Sequence, residues 1–351
     1  MATTGSTRIP LSVLDVVPVF EDGSATAALR DTVALAPRVE ALGYHRYWVA
    51  EHHNTPSLAT SAPPILIGRL AAATTTLRVG SGGVLLPNHA PLVVAEQFGT
   101  LEALHPGRID LGLGRAPGTD PLTARALRRS PDRGEDDFPR QIAELGGYFA
   151  PGDPSSGITA VPAADGRPDV WMLGSSPASA AAAGSMGLPY AFAHQINPQA
   201  TAFALERYRE SFRPSAHLDR PRTLVSVLTT VADTDEEART VASPYLLGKI
   251  RMRTVRRFEA FPSARTAAAH RYDAAERAFL DDLVEPQLVG SPDTVREKLA
   301  GLLAHTGADE VMALTVVHGQ EERLRSFELL ARAASGSQVL AASGDDGSVR
   351  L

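Results

Sequence analysis

The chain contains no cysteine among its 351 residues. Without a thiol it cannot form a disulfide bond, use a cysteine nucleophile or bind a metal ion through sulfur. An excess of positive charge is also lacking, since the formal net charge is -6. The protein therefore offers no basic surface to nucleic acid or to an anionic membrane, and we expect neither as a partner.

Long apolar runs are missing as well. Residues Met1–Pro10 are polar and lack the apolar centre of a signal peptide, and no uninterrupted apolar stretch is long enough to span a bilayer. We therefore expect a cytoplasmic protein. What the chain does have is 44% hydrophobic residues, which is enough for a substantial core.

Short apolar runs alternate with helix-length segments along nearly the whole chain. The first helical segments are Ala25–Leu42, Pro64–Ala73 and Pro91–Leu104. Strands that alternate with helices predict an α/β fold, and eight such strands favour a (β/α)8 TIM barrel over an open sheet. The predicted strands are Leu11–Pro18, a strand ending at His53, Leu77–Leu86, Arg108–Gly114, Asp169–Gly174, Pro189–Phe192, Thr223–Ala232 and Glu310–Val317.

The length fits a single barrel domain, residues 1–334, with an insertion after the seventh strand. Within the insertion, residues 247–289 combine several arginines with Phe258 and Phe261. This segment either closes over an anionic ligand as a lid or forms surface helices with solvated charges. Pro151–Pro168 is predicted to be a long loop and Ser335–Leu351 a weakly ordered tail. The arginines are Arg251, Arg253, Arg256 and Arg257.

The second predicted strand ends in a carboxylate and two imidazoles, Glu51, His52 and His53. Charged groups are rarely buried unpaired, so we expect these titratable residues to lie at the edge of the sheet where the strand ends. In a barrel, the carboxyl ends of the strands surround the active site, where imidazoles can move protons. We interpret the three residues as catalytic candidates. A loop cap and a satisfied polar niche are the other explanation.

Other strands end in glycine, serine and one arginine. Glycine allows a flat ligand to lie against the backbone, and an arginine can bind an anion through two hydrogen bonds. These groups are therefore candidates for binding a flat, anionic ligand. The strand ends are Ser81-Gly82-Gly83, Gly112-Leu113-Gly114-Arg115 and Gly174-Ser175-Ser176.

An anion site is predicted after the fifth strand. Ser176 and Pro177 fit the N-cap and the first turn of a helix. Its free N–H groups, together with the hydroxyls of Ser175, Ser176 and Ser179, would form a phosphate cradle near Arg115. An ordinary serine cap with no ligand is the alternative.

Two apparent motifs do not fit their usual roles. Gly112–Gly118 resembles a dinucleotide fingerprint, but its last glycine comes one residue late and Pro117 would interrupt the helix. Adjacent histidines on a strand point to opposite faces, so His52 and His53 cannot share a metal ion. The spacing of His89, His105 and His194 supports no metal site either. We expect no metal.

Several segments together resemble the bacterial luciferase-like, flavin-dependent monooxygenases, in particular the actinobacterial members associated with natural-product and antibiotic tailoring. The resemblance extends from Leu11 to Ala334. It implies a TIM barrel that binds reduced FMN from a separate flavin reductase and usually forms a homodimer through helices of its first half. The segments are Ala50–His53, Val79–Pro87, Ala95–Gln97, Gly107–Arg115, Gly174–Ser176 and Gly187–Pro189.

The resemblance also implies a mechanism, in which a C4a-hydroperoxyflavin formed with dioxygen oxygenates a small organic substrate such as a polyketide. His52 matches the histidine needed for productive flavin oxygenation, with Glu51 or His53 orienting it. Phe192 and His194 are candidates for the substrate side of the flavin ring, and Gly82-Gly83 matches a non-proline cis peptide beneath it. The implied cofactor-binding residues are Ser81, Gly82, Gly83, Arg115, Gly174, Ser175, Ser176 and Ser179.

The sequence departs from the luciferase pattern at one position, and two other functions are compatible with it. Gly114 stands where luciferases have a reactive cysteine, so light emission is not expected. A deazaflavin (F420)-dependent hydride-transfer enzyme could use the same barrel. A flavin-binding protein without turnover is the second alternative.

Overall fold

A computed structural model of the chain describes residues 9–115, 120–127, 137–150, 157–163, 166–255 and 259–335. Its strands are β1 Leu11–Asp15, β2 Arg46–Val49, β3 Arg78–Leu85, β4 Ile109–Gly114, β5 Asp169–Gly174, β6 Tyr190–Ala193, β7 Thr223–Val231, β8 Leu288–Gly290 and β9 Glu310–Leu314. Its α-helices are α1 Ala25–Ala41, α2 Pro63–Ala73, α3 Pro91–Leu104, α4 Pro121–Ala126, α5 Phe138–Tyr148, α6 Pro177–Ser185, α7 Thr201–Ser211, α8 Asp235–Val255, α9 Ala264–Ala269, α10 Ala274–Val284, α11 Pro292–Thr306 and α12 Gln320–Ser335.

Eight strands close into a ring in which every neighbouring pair is parallel. The order around the ring is β1-β2-β3-β4-β5-β6-β7-β9, and β9 pairs back to β1. Helices connect successive strands, as parallel pairing requires. The predicted (β/α)8 barrel is therefore confirmed, and β5 has the bounds expected from the sequence.

The ninth strand, β8, lies outside the ring and was not predicted. It is only three residues long, too short to show an alternating pattern. It pairs in parallel with Thr229–Val231 of β7, beyond Leu228, where the pairing of β7 with β9 ends. The insertion after β7 is thus attached to the carboxyl end of the barrel.

Side-chain alternation along the strands divides the buried residues into two cores. In β2, Tyr47 and Val49 pack with the outer core beneath the helices, whereas Trp48 belongs to the inner core. Trp48 and Trp171 meet edge to face in the inner core, with ring centroids 5.4 Å apart. The barrel is therefore filled with side chains, and a ligand has to bind at its mouth.

Buried ion pairs lie at the amino-terminal end of the barrel. Arg46, at the start of β2, donates hydrogen bonds to Asp110 at 2.7 Å and to Glu310 at 2.9 Å, and all three residues are buried. These groups lie opposite the mouth, where buried residues serve stability more than chemistry.

Two predicted segments fall partly outside the described residues. Of the predicted loop 151–168, residues 157–163 and 166–168 are described and contain neither helix nor strand. Residues 336–351 of the predicted tail are not described, and the single-domain assignment stays a prediction. In the described ranges, no helix is both long enough and apolar enough to cross a membrane.

Candidate functional site

The strand pairing brings the predicted site residues to one mouth. Val49 of β2 is in register with Ser81 of β3, and Gly114 of β4 is in register with Leu173 of β5. The segment after β2 therefore lies beside the end of β3. Arg115, which follows β4 and is exposed, comes beside the end of β5, where the predicted phosphate cradle begins.

Glu51 is the buried centre of a hydrogen-bonded cluster at this mouth. Its Oε1 accepts hydrogen bonds from Nε2 of His53 and Nε2 of His89, each at 2.8 Å, and its Oε2 accepts one from the Leu85 N–H at 3.0 Å. Burial alone would raise the pKa of Glu51, but the hydrogen bonds from His89, His53 and Leu85 and the charge of His89 outweigh it and lower that pKa. Glu51 is therefore an ionised acceptor.

His89 was not among the residues predicted for the site. It lies 38 residues from Glu51 and reaches it because the ends of β2 and β3 are neighbours. A signal was nevertheless present, since His89 follows directly after the 3₁₀ turn Leu86–Asn88 that ends β3. The strand-end rule that selected His52 could have selected His89 as well.

The same three side chains have the donor types of a divalent-metal site. The ligand atoms of Glu51, His53 and His89 all lie within 4.8 Å of one another. The two contacts of 2.8 Å are ordinary hydrogen-bond lengths, however, so shared protons account for the arrangement. His89 joins His53 in this cluster, whereas His52 does not, and the expected absence of a metal stays a prediction.

His52 hydrogen-bonds to Thr60 and not to Glu51. Its backbone N–H donates to the Thr60 carbonyl at 3.0 Å, and its Nδ1 lies 3.4 Å from Thr60 Oγ1. The expected orientation of His52 by Glu51 is therefore not found among the described contacts. Burial lowers the pKa of His52 to about 4 and outweighs the nearby charge of Glu51, which acts in the opposite direction. His52 is neutral at physiological pH.

The lowered pKa of His52 predicts that acid weakens the fold. In the unfolded chain a histidine titrates near pH 6.5, so between about pH 6.5 and 4 the unfolded state binds a proton that folded His52 does not. The free energy of unfolding should therefore fall as the pH falls through this window. His52→Gln should make that fall less steep in urea unfolding, whereas His305→Gln, an exposed residue of α11, should not. Equal slopes for wild type and His52→Gln would contradict the prediction.

Ser176 caps α6 as the sequence predicted. Its Oγ accepts a hydrogen bond from the Ser179 N–H at 3.3 Å, and Ser179 Oγ donates to the Ser176 carbonyl at 2.8 Å. Ser179 is buried, and its Oγ is also 2.8 Å from the Tyr190 hydroxyl. The Ser175 carbonyl accepts a hydrogen bond from Asn197 Nδ2 at 3.0 Å. Ser179, Tyr190 and Asn197 thus hold the cap in place, and sequence reasoning missed the last two.

The end of β3 is shaped by close contact with β4. Ser81 is buried, and its Oγ donates to the Gly112 carbonyl at 2.9 Å and accepts from the Gly112 N–H at 3.0 Å. The peptide bond between Gly82 and Gly83 is cis, as the resemblance implied. A Cβ at Gly83 would lie 2.7 Å from the Gly112 carbonyl oxygen. Packing between β3 and β4 thus accounts for a serine at position 81 and a glycine at position 83. The cofactor-binding roles of these two residues stay predictions.

The two substrate-side candidates are both buried. Phe192 belongs to the outer core and packs against Tyr190 with centroids 6.3 Å apart. His194 uses both ring nitrogens, with Nδ1 2.8 Å from Thr201 Oγ1 and Nε2 2.8 Å from the Pro286 carbonyl. These contacts account for both residues by packing, and their place on the substrate side of the flavin stays a prediction.

The chain is similar to known proteins over most of its length. The family model for luciferase-like monooxygenases matches residues 9–310. A luciferase-like monooxygenase of Escherichia coli (strain K12) is 43% identical over 321 residues, which covers 92% of this chain and 96% of that protein. The crystal structure of apo-MsnO8 is 40% identical, with a TM-score of 0.83, and covers 94% of this chain and 99% of that one.

Two structures of lower identity share the fold alone. The first is the oxygenating constituent of 3,6-diketocamphane monooxygenase from Pseudomonas putida, in complex with FMN, at 21% identity and a TM-score of 0.72 over 95% of this chain and 100% of that one. The second is an F420-dependent secondary alcohol dehydrogenase, at 13% identity and a TM-score of 0.65 over 93% and 99%. The fold itself therefore accommodates more than one cofactor.

Proposed function

Because the chain belongs to the luciferase-like monooxygenase family, we propose that it binds reduced FMN at the barrel mouth and oxygenates a small organic molecule with dioxygen. One observation carries this proposal: neutral His52 and the Glu51 cluster lie at the same mouth as the capped α6 and Arg115. The chemistry that reduced FMN would supply there is two electrons for dioxygen, so that one oxygen atom enters the substrate and the other leaves as water.

Residues from three strand ends would bind the cofactor. The FMN phosphate would lie at the amino terminus of α6, near Ser175, Ser176 and Arg115, because helix N–H groups and a guanidinium both favour an anion. Ser179 would contribute indirectly, because its hydrogen bonds to Ser176 hold the N-cap of α6 in place. The flavin ring would lie over Gly82 and Gly83.

The reducing equivalents would come from another protein. The sequence has no dinucleotide fingerprint that would bind a nicotinamide cofactor. We therefore propose that a separate flavin reductase in the cytoplasm supplies reduced FMN by diffusion or in a transient complex. The substrate we propose is a secondary metabolite, such as a polyketide.

Labelled dioxygen tests the proposed function directly. The protein would be incubated with chemically reduced FMN, labelled dioxygen and a metabolite extract, and the products would be analysed by mass spectrometry. We expect one labelled oxygen atom in a metabolite. Flavin oxidation without labelled product would indicate a flavin-binding protein without turnover. Turnover only with reduced deazaflavin, and without label, would indicate hydride transfer instead.

We also propose a homodimer through helices of the first half. Ile65 of α2 and Leu104 of α3 expose 78% and 68% of their surface, so helices of the first half carry apolar side chains that an interface could cover. Ile65→Asp should shift sedimentation towards the monomer, because a charge buried in an interface is unfavourable. Phe203→Asp, at an exposed apolar position of α7, is the matched control. A wild-type monomer would contradict the proposal.

The lid prediction for residues 247–289 can be tested by proteolysis. Within this segment Arg253 lies over the Phe279 ring at 4.2 Å, and the Phe261 backbone bonds to Val19 and Glu21 at 2.8 Å each; Arg256, Arg257 and Phe258 lie outside the described residues. We expect reduced FMN and substrate to slow cleavage between α9 and α10 severalfold, because a lid that excludes water closes over its ligand. Equally fast cleavage with and without ligands would contradict a lid.

A further inference from the structure

The Glu51 cluster determines which ring nitrogen of each imidazole carries a proton. An ionised carboxylate oxygen can only accept hydrogen bonds, so both nitrogens at 2.8 Å from Glu51 Oε1 must donate. Nε2 of His53 and Nε2 of His89 are therefore protonated. In its neutral form each imidazole would carry that single ring proton, which leaves a basic lone pair on Nδ1.

His89 is the more accessible of these two bases. Its side chain is 31% exposed, compared with 14% for His53. Since its Nε2 is directed at buried Glu51, its Nδ1 is on the side of the ring away from that carboxylate. Within the described ranges, no group donates a hydrogen bond to this Nδ1. His89 thus presents a proton acceptor at the mouth.

His89, and not His52, is placed to act through the carboxylate. An imidazolium formed by a proton at His89 Nδ1 would still donate its Nε2–H to the ionised Glu51. By contrast, His52 lacks a hydrogen bond to Glu51 among the described contacts, and burial lowers its pKa to about 4.

We propose that His89, held by Glu51, takes a proton from an acidic hydroxyl of the substrate, so that the enzyme acts on phenols or enols. The substrate O–H bond breaks, an N–H bond forms at Nδ1, and the electron pair stays on the substrate oxygen. This inference rests on the proposed oxygenase function and adds a substrate class to it. Glu51 is a positioning residue, because it acts through the imidazole.

The tautomer of His89 can be measured without any cofactor. Nitrogen-15 NMR of the apoprotein distinguishes Nε2–H from Nδ1–H imidazole, and His89→Gln identifies the His89 signal. We expect Nε2–H in the wild type and a mixture of tautomers in Glu51→Gln, whose amide can also donate. An Nδ1–H tautomer in the wild type would overturn the proposal. So would a spectrum that changes on adding EDTA, since a metal ion would then occupy the cluster.

Two variants separate proton transfer from a purely structural role. His89→Gln keeps an Nε2–H donor for Glu51 but has no basic nitrogen, whereas His89→Ala loses both. His105→Gln makes the same change after α3, at the opposite end of the barrel, and is the matched control. With 4-nitrophenol as the probe, the wild type and the control should raise the fraction of coloured phenolate, and both His89 variants should not. Equal phenolate formation with His89→Gln and the wild type would overturn the proposal.

Turnover distinguishes failure of this inference from failure of the proposed function. On a phenolic substrate, His89→Gln should lower kcat at least about tenfold with little change in KM, since a general base contributes about 100-fold or more. Full activity of His89→Gln would overturn the inference and leave the oxygenase intact. If the wild type forms no oxygenated product, the proposed function fails, while the NMR and phenolate measurements still decide the role of His89.

Discussion

Arg115→Ala should weaken the binding of reduced FMN by about 1.5–3 kcal/mol, which is the range for hydrogen bonds to a charged group. This corresponds to roughly 10- to 150-fold in Kd. The physical reason is position: Arg115 follows β4, and the pairing of Gly114 with Leu173 brings it beside the capped end of α6. Anaerobic titration with reduced FMN, followed by fluorescence, measures the effect.

The control for this prediction is Arg207→Ala, which removes an exposed arginine of α7 that pairs with Glu210. It should leave the affinity for FMN unchanged. Circular dichroism would verify that both variants are folded. If Arg115→Ala binds reduced FMN as tightly as the wild type does, the phosphate binds elsewhere on the barrel.

His52→Ala should leave the barrel folded and FMN bound, yet lower the product formed per flavin oxidised by roughly tenfold or more, the scale of a lost proton-transfer residue. His52 comes directly after the end of β2, where residues of a barrel serve the site more than stability. Flavin oxidation would continue, so released hydrogen peroxide should increase correspondingly. Product, peroxide and flavin are measured in the same reaction.

A matched variant, His305→Ala, removes an exposed imidazole in the last turn of α11 and should couple flavin oxidation to product as the wild type does. Normal coupling in His52→Ala would contradict its assigned role. His52 would then be structural through Thr60, and the imidazoles bound to Glu51 would be the remaining candidates.

The sequence was sufficient for the features that depend on local patterns. Apolar periodicity located the eight strands of the ring, because each strand packs against neighbours on both faces and so reads as an apolar run. The Ser176 cap was predicted because a serine before a proline suits the start of a helix on its own. Once the barrel was inferred, its topology placed Glu51, His52 and Arg115 at the carboxyl ends of strands and therefore at one mouth.

Features that depend on contacts between distant segments were not available from the sequence. Glu51 and His89 meet because β2 and β3 are neighbours, and no local spacing encodes that contact. The strand-end position of His194 does not reveal that its two ring nitrogens are bonded to Thr201 and to the Pro286 carbonyl. The partner of a polar side chain depends on how segments far apart in the chain pack together.

The sequence by itself therefore determined the order of the elements and the end of the barrel where chemistry takes place, since both follow from periodicity and chain direction. Only the tertiary structure decided which imidazoles bind Glu51, that His52 bonds to Thr60 instead, and that Ser179 is turned to Tyr190. The physical reason is that hydrogen bonds and burial act over a few ångströms in space, whereas the sequence records only distance along the chain.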